Sequence, residues 1–510
     1  MKTLSLEVKR IRGVSCEVVA YFMKKSGGAP ELHKSFGPHK ALLTQLKKAG
    51  ELSGHVFVRF KGRLGGKHVL FINVGEAAKG LDALRISERM RRLGAVVTQR
   101  LAAERVGTAV VHFDSFLVAE KEPSEDLQTQ AEAMTEGLLL GGYKFKKYFT
   151  KKDSDAFPSA ISLTAKDDKQ MAALKKGFES GRVLAAATVV ARDLGNEPSN
   201  ELYPETFAKE AAALAKEHGI KCTIFDEKKI RKERMELLWA VGKGSAFPPR
   251  FIVLEYTPPK VERHLALVGK GMTFDSGGIS IKPSGKMEDM KHDMCGAAAV
   301  LGATLAIAKL KLPVKVTCAI AMAENMPSGA AMNPGNIVKG RGGKTVEIAN
   351  TDAEGRLILA DALDWVQDLK PDYIIDAATL TGAVGVALGK ICAGLMGNDD
   401  DLNLTICEAS DLSGERVWEL PIYSEYAEGM KSAYADMRNM GEAGQAGTIV
   451  GGMFLKNFIR DNVKWAHIDL ASVAYDHGAT SYSPRKGASG WGVRLLVDVA
   501  RLMASSRLGE

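Results

Sequence analysis

The segment Asn350-Thr351-Asp352-Ala353-Glu354-Gly355-Arg356 carries two carboxylates at positions i and i+2 and a guanidinium at i+4. On an extended backbone, side chains two residues apart point to the same side, so these three groups form a compact charged cluster. Gly355 leaves out a side chain where the backbone would pass close to a ligand or to the next element. The segment is therefore our first candidate for a chemical site.

The residues on either side of this segment indicate where it lies in a fold. Upstream, Lys344–Ile348 alternates apolar and polar residues, which is typical of a strand. Downstream, Leu357, Ile358, Leu363 and Val366 recur at the spacing of a buried helix face. We therefore expect the charged cluster in a strand-to-helix loop, where an open α/β sheet usually presents its chemistry.

The length of 510 residues exceeds one ordinary hydrophobic core and predicts two domains or three. A hydrophobic content of 45% with 25% charged residues is typical of a soluble globular protein. The formal charge of +8 permits an anionic partner without requiring one. The uncharged stretch Met294–Ala308 is too short to span a bilayer and predicts a buried helix, so we expect no membrane partner.

The cysteines and the first residues both favour a cytoplasmic location. No Cys-x-x-Cys pair occurs, so we expect reduced, mostly buried thiols rather than disulfides or a zinc knuckle at Cys16, Cys222, Cys295, Cys318, Cys392 and Cys407. The opening decapeptide Met1–Arg10 has charges where a signal peptide needs an apolar run, so export is not expected.

The predicted fold class is α/β, with a smaller N-terminal α/β domain and a larger C-terminal α/β catalytic domain. We assign 1–165 to an assembly or regulatory domain, 166–200 to a connecting helix and turn, and 201–510 to the catalytic domain. In the last range strand and helix signals alternate, which favours a mostly parallel sheet covered by helices. Predicted strands are His55–Phe60, His68–Val74, Ala109–Phe113, Cys222–Phe225, Phe251–Tyr256 and Leu265–Gly269; predicted helices are Ser87–Arg105, Lys169–Leu194, one ending near Leu237, and Cys295–Leu310.

The stretch Tyr143–Lys152 mixes aromatic residues with five lysines and allows two interpretations. Lysines can contact phosphates while aromatic rings stack on bases, which would indicate contact with nucleic acid. Alternatively, the stretch is an edge strand whose lysines discourage pairing with another chain.

A second group of candidate residues follows the strand at Leu265–Gly269. The glycines after it resemble a dinucleotide loop only weakly, because the third glycine position is Phe274 and no helix follows directly. The loop supplies Lys270, Asp275 and Lys282. Asp293 precedes the apolar helix and, taken alone, would be read as a helix N-cap.

Charge counting indicates what these loops bind together. Four carboxylates, those of Asp275, Asp293, Asp352 and Glu354, would repel one another unless cations neutralised them. Two divalent ions would balance the charge, and an oxygen-rich site without histidine or cysteine suits Mn²⁺, Mg²⁺ or Zn²⁺. The alternative is a set of surface salt bridges, for which glycine-rich loops are a poor scaffold.

Several of these motifs together resemble the leucine (cytosol) aminopeptidase family of di-metal peptidases. The motifs are Val268–Gly278, Asp293–Ala298, Asn350–Leu357 and Asp376–Ala383, and the stretches Asn196-Glu197-Pro198 and Trp465–Asp469 also fit. The resemblance covers about residues 180 to 500 strongly, and the first domain only by length and position.

This resemblance implies a role for each matching residue. Lys270, Asp275, Asp293 and Glu354 would hold one metal ion; Asp275, Asp352 and Glu354 would hold the second. The metals would be Mn²⁺ or Zn²⁺, with Mg²⁺ also allowed. Lys270 can ligate only as a neutral amine, so the dication would have to lower its pKa.

The same resemblance implies hydrolysis of the N-terminal residue of a peptide by a hydroxide formed between the two metals. Lys282 would stabilise the developing oxyanion. Arg356 cannot accept a proton at working pH, so it would instead hold a bicarbonate ion that shuttles the proton. The first side chain of the substrate would lie in a pocket of Met290, Thr379, Leu380, Gly382, Ala471 and Ala474.

The apolar lining of that pocket favours Leu or Met as the first residue of the substrate. Core packing is an equally good interpretation of Ala471 and Ala474. His467 lies among apolar residues of a strand and is expected to be a hydrogen-bonded core histidine rather than a ligand.

The leading hypothesis is therefore a cytoplasmic leucyl aminopeptidase that turns over intracellular peptides, and the resemblance implies a homohexamer. The alternative is an additional role as a DNA-binding accessory or regulatory protein, which the charge of +8 and the lysine-rich stretch would permit.

Overall fold

A computed structural model describes residues 5–10, 17–26, 29–31, 56–58, 68–73, 86–113, 126–151, 158–165, 167–442 and 444–505. The chain divides into two units, one of Met1–Ala185 with Thr480–Pro484 and one of Ala186–Ala479 with Arg485–Glu510. Cys16 and Lys152, and the outer ends of the strands predicted at 55–60 and 68–74, lie outside the described residues. The domain limits at residues 165 and 200 stay a prediction.

The first unit is built on a seven-stranded sheet with the order β1-β7-β6-β2-β5-β4, and β3 pairs with β2. Its strands are β1 (Ser5–Arg10), β2 (Val18–Ser26), β3 (Ala29–Glu31), β4 (Val56–Val58), β5 (His68–Asn73), β6 (Thr108–Val111) and β7 (Ala160–Ala165). The strands from β1 to β5 in this order are parallel, whereas β4 runs antiparallel to β5. The described parts of the strands predicted at 55–60 and 68–74 are thus confirmed, whereas the strand predicted at Ala109–Phe113 ends at Val111.

Two helices of this unit, α1 (Ile86–Ala103) and α2 (Leu127–Leu140), approach each other closely. A Cβ atom at Gly137 would lie 1.9 Å from the Arg91 carbonyl oxygen, so only glycine permits this contact. The buried Arg91 guanidinium joins the helices through a 2.6 Å bond from Nε to Glu136 Oε2. The ion pair between Arg91 and Glu136, which lie far apart in the sequence, therefore adds to the apolar packing between the two helices.

The lysine-rich stretch after α2 does not form the predicted edge strand. Residues 143–151, all of which are described, follow turns and irregular backbone. The consecutive lysines 146 and 147 interrupt any apolar–polar alternation, so neither face could be buried consistently against a sheet.

The second unit is built on an eight-stranded sheet with the order β16-β15-β18-β14-β10-β11-β9-β8. Its strands are β8 (Lys221–Phe225), β9 (Arg250–Tyr256), β10 (Arg263–Asp275), β11 (Val314–Asn325), β14 (Tyr373–Ala378), β15 (Ala393–Gly397), β16 (Val417–Glu419) and β18 (Lys464–Asp469). The central strands β18, β14, β10 and β11 are parallel, while β8, β9 and β15 add antiparallel pairings at the flanks. The α/β class and the parallel sheet centre are confirmed.

Helices cover this sheet and connect its parallel strands. They are α3 (Asp168–Asn196), which spans the boundary of the two units, α4 (Pro204–Glu217), α5 (Glu227–Lys232), α6 (Glu236–Gly242), α7 (Cys295–Leu310), α8 (Gly355–Gln367), α9 (Ala383–Leu388), α10 (Asp400–Ser413), α11 (Gly447–Lys456) and α12 (Val493–Ala504), with 3₁₀ turns at Met287–His292 and Ser424–Met430. The single helix predicted to end near Leu237 is instead α5 and α6. Arg234 separates them with φ at 60°, a left-handed conformation that no helix continues through.

The apolar helix α7 lies in the core, as its composition predicts. The region Met287–Leu310 is long and apolar enough to cross a membrane, but 89% of its most apolar window is buried inside the protein. A Cβ atom at Gly296 would lie 2.1 Å from the Ala377 carbonyl oxygen, so small residues bring the helix against β14. Packing against the sheet accounts for its apolar surface.

A separate three-stranded sheet corrects one expectation. It consists of β12 (Ile337–Lys339), β13 (Thr345–Glu347) and β17 (Met437–Arg438). The segment Asn350–Arg356 therefore follows a strand of this small sheet and not a strand of the large one. The local prediction of strand, loop and helix is correct, but three alternating residues do not reveal which sheet the strand joins.

Candidate metal centre

Three buried carboxylates from distant parts of the chain meet in the second unit. Asp275 is the last residue of β10, Asp293 precedes α7, and Glu354 precedes α8. One oxygen from each lies within 4.8 Å of the other two. Buried carboxylates at this separation repel one another unless cations are present, so the arrangement fits a site for metal ions.

The Lys270 side chain lies among these carboxylates. Its Nζ is 2.7 Å from Asp293 Oδ2 and 3.0 Å from Glu354 Oε1, and it donates a 2.7 Å hydrogen bond to the Thr379 carbonyl oxygen. Thr379 Oγ1 in turn donates to Asp293 Oδ1 at 2.6 Å. The lysine and its neighbours are thus held by strand β10 and by the loop after β14.

Asp352 joins the site through Lys282. Lys282 Nζ lies 2.8 Å from Asp275 Oδ2 and also contacts Asp352 Oδ1. The Asp352 side chain is 33% exposed, whereas those of the three central carboxylates are buried. The predicted cluster is therefore assembled, with Asp352 and Lys282 on its more open side.

Two further residues hold this region, and sequence reasoning missed both. Asn325, the last residue of β11, donates from Nδ2 to Asp275 Oδ1 at 2.8 Å and to the Thr351 carbonyl at 3.0 Å. Thr351 Oγ1 donates to the Gly277 carbonyl at 2.6 Å. The available signals were the position of Asn325 at the end of a buried strand and the place of Thr351 in the segment from which the site was predicted.

Burial and mutual repulsion shift the titration of the acids. Burial, followed by the charge of Asp275, raises the pKa of Glu354 to about 8. Burial also raises the pKa values of Asp293 and Asp352. For Lys270, burial lowers the pKa, but the carboxylates of Asp293, Glu354 and Asp275 outweigh it and the pKa rises. The site therefore binds positive charge strongly.

Arg356 is buried at the start of α8. Its Nη1 donates to the Asn439 carbonyl oxygen at 2.9 Å, and its Nε has no hydrogen-bond partner among the described residues. Burial lowers its pKa from the usual value. The Asn439 side chain also binds residues 348–354, here called the Asn350 loop. Its Oδ1 accepts from Ala349 N at 2.8 Å and its Nδ2 donates to the Asn350 carbonyl at 2.7 Å. Nothing in the sequence singled out Asn439.

The predicted pocket residues differ in burial. Thr379 is buried against Lys270, Met290 lies half-buried in a 3₁₀ turn, and Leu380 is also half-buried. Gly382 is exposed and Ala471 is half-buried, whereas Ala474 is only 1% exposed. Their role in binding substrate stays a prediction.

Two single-residue interpretations are resolved. Asp293 is not the N-cap of α7: the cap position is Met294, and the Asp293 carboxylate accepts from Lys270 and Thr379 instead. His467 is a buried, hydrogen-bonded histidine, as expected, with Nδ1 2.6 Å from Asp376 Oδ1. Trp465 Nε1 donates to the other Asp376 oxygen at 2.7 Å.

Comparison with known protein families decides the assignment of this fold and site. Residues 189–497 match the model of the cytosol aminopeptidase family, catalytic domain, and residues 18–152 match the N-terminal domain of the same family. The chain belongs to the cytosol aminopeptidase family. It is therefore an aminopeptidase, a hydrolase of peptides, and the resemblance noted from its motifs is confirmed.

Individual relatives of this aminopeptidase extend over most of its length. A probable cytosol aminopeptidase of Streptomyces coelicolor is 39% identical over 532 residues that cover 100% of both chains. A probable cytosol aminopeptidase of Aquifex aeolicus is 43% identical over 418 residues, 82% of each chain. Among solved structures, the bottromycin maturation enzyme BotP in complex with Mn has a TM-score of 0.82 and 32% identity, covering 96% of this chain and 100% of that one.

Proposed function

We propose that this aminopeptidase releases the N-terminal residue of peptides, with leucine preferred, in a reaction that depends on two divalent metal ions. The observation that carries the proposal is the set of buried oxygens from Asp275, Asp293 and Glu354 within 4.8 Å of one another. Oxygen donors of this kind suit Mn²⁺ or Zn²⁺, and Mg²⁺ is also allowed. Bound in pairs, such ions polarise a peptide carbonyl and activate water.

The proposed ligands divide into two sets that share members. Lys270, Asp275, Asp293 and Glu354 serve the first metal, and Asp275, Asp352 and Glu354 serve the second. Lys270 is the unusual ligand, because its neighbouring carboxylates raise its pKa and a ligating amine must be neutral. A dication bound beside Lys270 would lower the pKa of the lysine. It would also neutralise the carboxylates of Asp293 and Glu354, which pair with Lys270.

Lys282 is proposed as the cation that stabilises the oxyanion. Its Nζ lies between Asp275 and Asp352 on the more open side of the cluster, and its side chain is 21% exposed. Burial lowers its pKa, but Asp275 and Glu354 outweigh this and the pKa rises, so the amine stays charged at neutral pH. A fixed charge of this kind stabilises negative charge that develops on a substrate oxygen.

Arg356 is proposed to bind bicarbonate, which would carry the proton that the guanidinium itself cannot accept. The guanidinium is buried and its Nε is unpaired among the described residues, so it has capacity for an anion. Its partner Asn439 binds the Asn350 loop and holds the arginine beside the acidic cluster.

Leucine preference rests on the apolar and half-buried residues Met290, Leu380 and Ala471. A panel of anilides tests the activity and the preference together. We expect hydrolysis of leucine p-nitroanilide, slower hydrolysis of the glutamate anilide, and no hydrolysis of N-acetyl-leucine p-nitroanilide, which lacks a free amine. Equal hydrolysis of the acetylated substrate would contradict the assignment as an aminopeptidase.

We also propose that the enzyme is a cytoplasmic homohexamer that turns over intracellular peptides. Exposed large side chains support assembly, because apolar surface in contact with water often marks an interface between subunits. Val386 is 91% exposed, Tyr434 78% and Leu404 70%. Light scattering coupled to size-exclusion chromatography should give six times the chain mass of 54.8 kDa. A monomer at micromolar concentration would contradict the proposal.

A second candidate function is contact with DNA, as an additional accessory or regulatory role. The observation that favours it is the surface at residues 144–151, where Tyr148 is 48% and Phe149 67% exposed among exposed lysines. Binding to duplex DNA that persists above about 200 mM salt and survives Asp352→Asn would support this role. Binding that disappears with modest salt would reduce it to non-specific attraction.

A further inference from the structure

Asp469, at the end of β18, has a fully buried carboxylate outside the charged cluster. Its Oδ1 lies within hydrogen-bond distance of the backbone N–H groups of Leu380 (3.1 Å), Thr381 (3.4 Å) and Ala471 (3.3 Å). Its Oδ2 accepts a 2.6 Å bond from Thr381 Oγ1. Three of these four bonds come from one short loop, residues 379–382, which follows β14.

The first residue of that loop contacts the proposed metal ligands directly. The Thr379 carbonyl accepts from Lys270 Nζ at 2.7 Å, and Thr379 Oγ1 donates to Asp293 Oδ1 at 2.6 Å. The conformation of the loop therefore fixes where two of the ligand side chains lie. The next residue in the chain, Leu380, is already bound to Asp469.

Asp469 is carried by one of two hydrogen-bonded parallel strands. Strands β14 and β18 are parallel neighbours in which Ala378 is paired with Asp469, and Leu470 N donates to the Ala378 carbonyl at 2.8 Å. The strand pairing thus places the carboxylate beside the first residues of the loop. A loop that leaves a sheet is otherwise free to adopt several conformations, because its backbone groups have no ladder to join.

A carboxylate suits this position better than a neutral side chain. The two carboxylate oxygens carry no hydrogens and can accept all four bonds. An asparagine would place an NH₂ group at one of these two positions, and that group cannot accept a bond from the N–H or O–H donors of the loop. Burial raises the pKa of Asp469, and His467, Thr381 and the loop backbone oppose that rise. Burying a charge is costly unless it is hydrogen-bonded, so the loop and the carboxylate stabilise each other.

We propose that Asp469 is a positioning residue, which holds the 379–382 loop so that Thr379 fixes Lys270 and Asp293 in the geometry that binds metal. The inference rests on the proposed metal site but assigns a role to a residue that does not touch the metal. Removing a group that orients metal ligands typically weakens metal binding or activity by 10–100-fold.

Four variants test the proposal. Asp469→Asn replaces an acceptor with a donor. Thr381→Val removes the bond to Asp469 Oδ2, a 3.0 Å contact with Thr448 Oγ1 and a 3.4 Å bond that Thr381 Oγ1 accepts from Val384 N. Thr381→Ser keeps the hydroxyl and serves as the conservative rescue. Thr448→Val is the matched control, since Thr448 is equally buried and its loss leaves the bonds of Asp469 intact.

The measurements are the Mn²⁺ dissociation constant, from the electron paramagnetic resonance of free Mn²⁺, and kcat and KM for leucine p-nitroanilide. We expect Mn²⁺ binding to weaken about 10–100-fold in Asp469→Asn and about 10-fold in Thr381→Val, with kcat falling in parallel. Thr381→Ser and Thr448→Val should stay within about 3-fold of the wild type. Thermal melting of the metal-free proteins identifies a variant that has lost its fold, and Thr381→Val decides the matter if Asp469→Asn has done so.

The wild-type protein separates the two levels of the argument. A wild type that neither binds Mn²⁺ nor hydrolyses the anilide would contradict the proposed function. A wild type that does both, with folded Asp469→Asn and Thr381→Val variants that match it in Mn²⁺ affinity and kcat, would overturn the role of Asp469. Lower melting temperatures with unchanged Mn²⁺ affinity would also overturn it, because they show only a structural role.

Discussion

The Lys270 side chain packs directly against the backbone of Gly355. A Cβ atom at position 355 would lie 2.3 Å from Lys270 Cε and 2.7 Å from its Nζ. Gly355 is thus the residue that lets helix α8 begin beside a lysine held by two carboxylates. This contact supplies the reason for the glycine in the segment from which the site was first predicted.

Gly355→Ala should therefore displace the Lys270 amine. We expect kcat/KM for leucine p-nitroanilide to fall about 100-fold, because a shift of about 1 Å in a reacting group has that effect. Gly329→Ala is the matched control, since a Cβ atom there meets nothing within 4 Å. Equal activity of the two variants would show that the position of Lys270 is unimportant.

Arg356→Ala should lower kcat about 100-fold or more and leave KM nearly unchanged, because a proton-transfer role acts in the transition state. Steady-state kinetics in buffer depleted of bicarbonate and then supplemented with it provide the measurement. We expect the wild type to respond to bicarbonate and the variant not to respond. Unchanged turnover of Arg356→Ala, with or without bicarbonate, would remove the proposed role.

Ala471→Val and Ala474→Val should have different effects, although both add the same two methyl groups. Ala471 is half-buried, so its variant should narrow the substrate pocket and lower kcat/KM for leucine p-nitroanilide more than for alanine p-nitroanilide. Ala474 is 1% exposed, so its variant should overpack the core and cost about 1–3 kcal/mol of stability. Thermal melting and kinetics with the two anilides provide the comparison. If the two variants show the same change in stability and in kcat/KM, the assignment of Ala471 to the pocket and Ala474 to the core would be contradicted.

The protonation of His264 should make stability depend on pH. Burial, followed by the charge of Lys315, lowers its pKa to about 4, against about 6.5 in an unfolded chain. The unfolded chain therefore binds the extra proton first, so the stability is fully present above about pH 6.5 and is lost as the pH falls toward 4. Between pH 7 and pH 5, protonation of this histidine in the unfolded chain should lower the free energy of unfolding by about 2 kcal/mol.

Replacement of His264 by glutamine provides the check. Thermal unfolding of the metal-free proteins at pH 7 and pH 5 should show a smaller loss of Tm for His264→Gln than for the wild type, by about 2–3 °C. Parallel losses in the two proteins would mean that the folded-state pKa of His264 is not lowered.

The parts of the site that sequence predicts are those whose residues are close together in a motif. Asp352, Glu354, Gly355 and Arg356 share one segment, and charge counting then indicated that two divalent ions would balance these acids together with Asp275 and Asp293. Lys270 was expected in a loop after a strand ending at Gly269, but that strand continues to Asp275, so Lys270 lies within β10. Local spacing and electrostatic balance therefore predict a cluster of acids that needs cations, whereas the assignment of individual ligands came from the family resemblance and stays a prediction.

Other features depend on contacts that local patterns do not encode. Asn325, Asn439 and Asp469 hold the site through bonds to backbone groups far away in the chain. The alternation at Lys344–Ile348 predicted a strand but not that it joins a separate sheet. Polar residues of this kind look ordinary in the sequence, because their roles exist only when distant backbones meet.

The most direct test of the proposed metal centre is hydrolysis of leucine p-nitroanilide by protein stripped with a chelator, before and after Mn²⁺ is restored. The same assay on Asp275→Asn and on the control variant Asp289→Asn, whose half-buried residue is not one of the clustered acids, assigns the effect to the buried carboxylates. We expect stripping to abolish activity, Mn²⁺ to restore it in the wild type and in Asp289→Asn, and Asp275→Asn to stay inactive. Full activity of the stripped wild type, or of Asp275→Asn, would contradict the account.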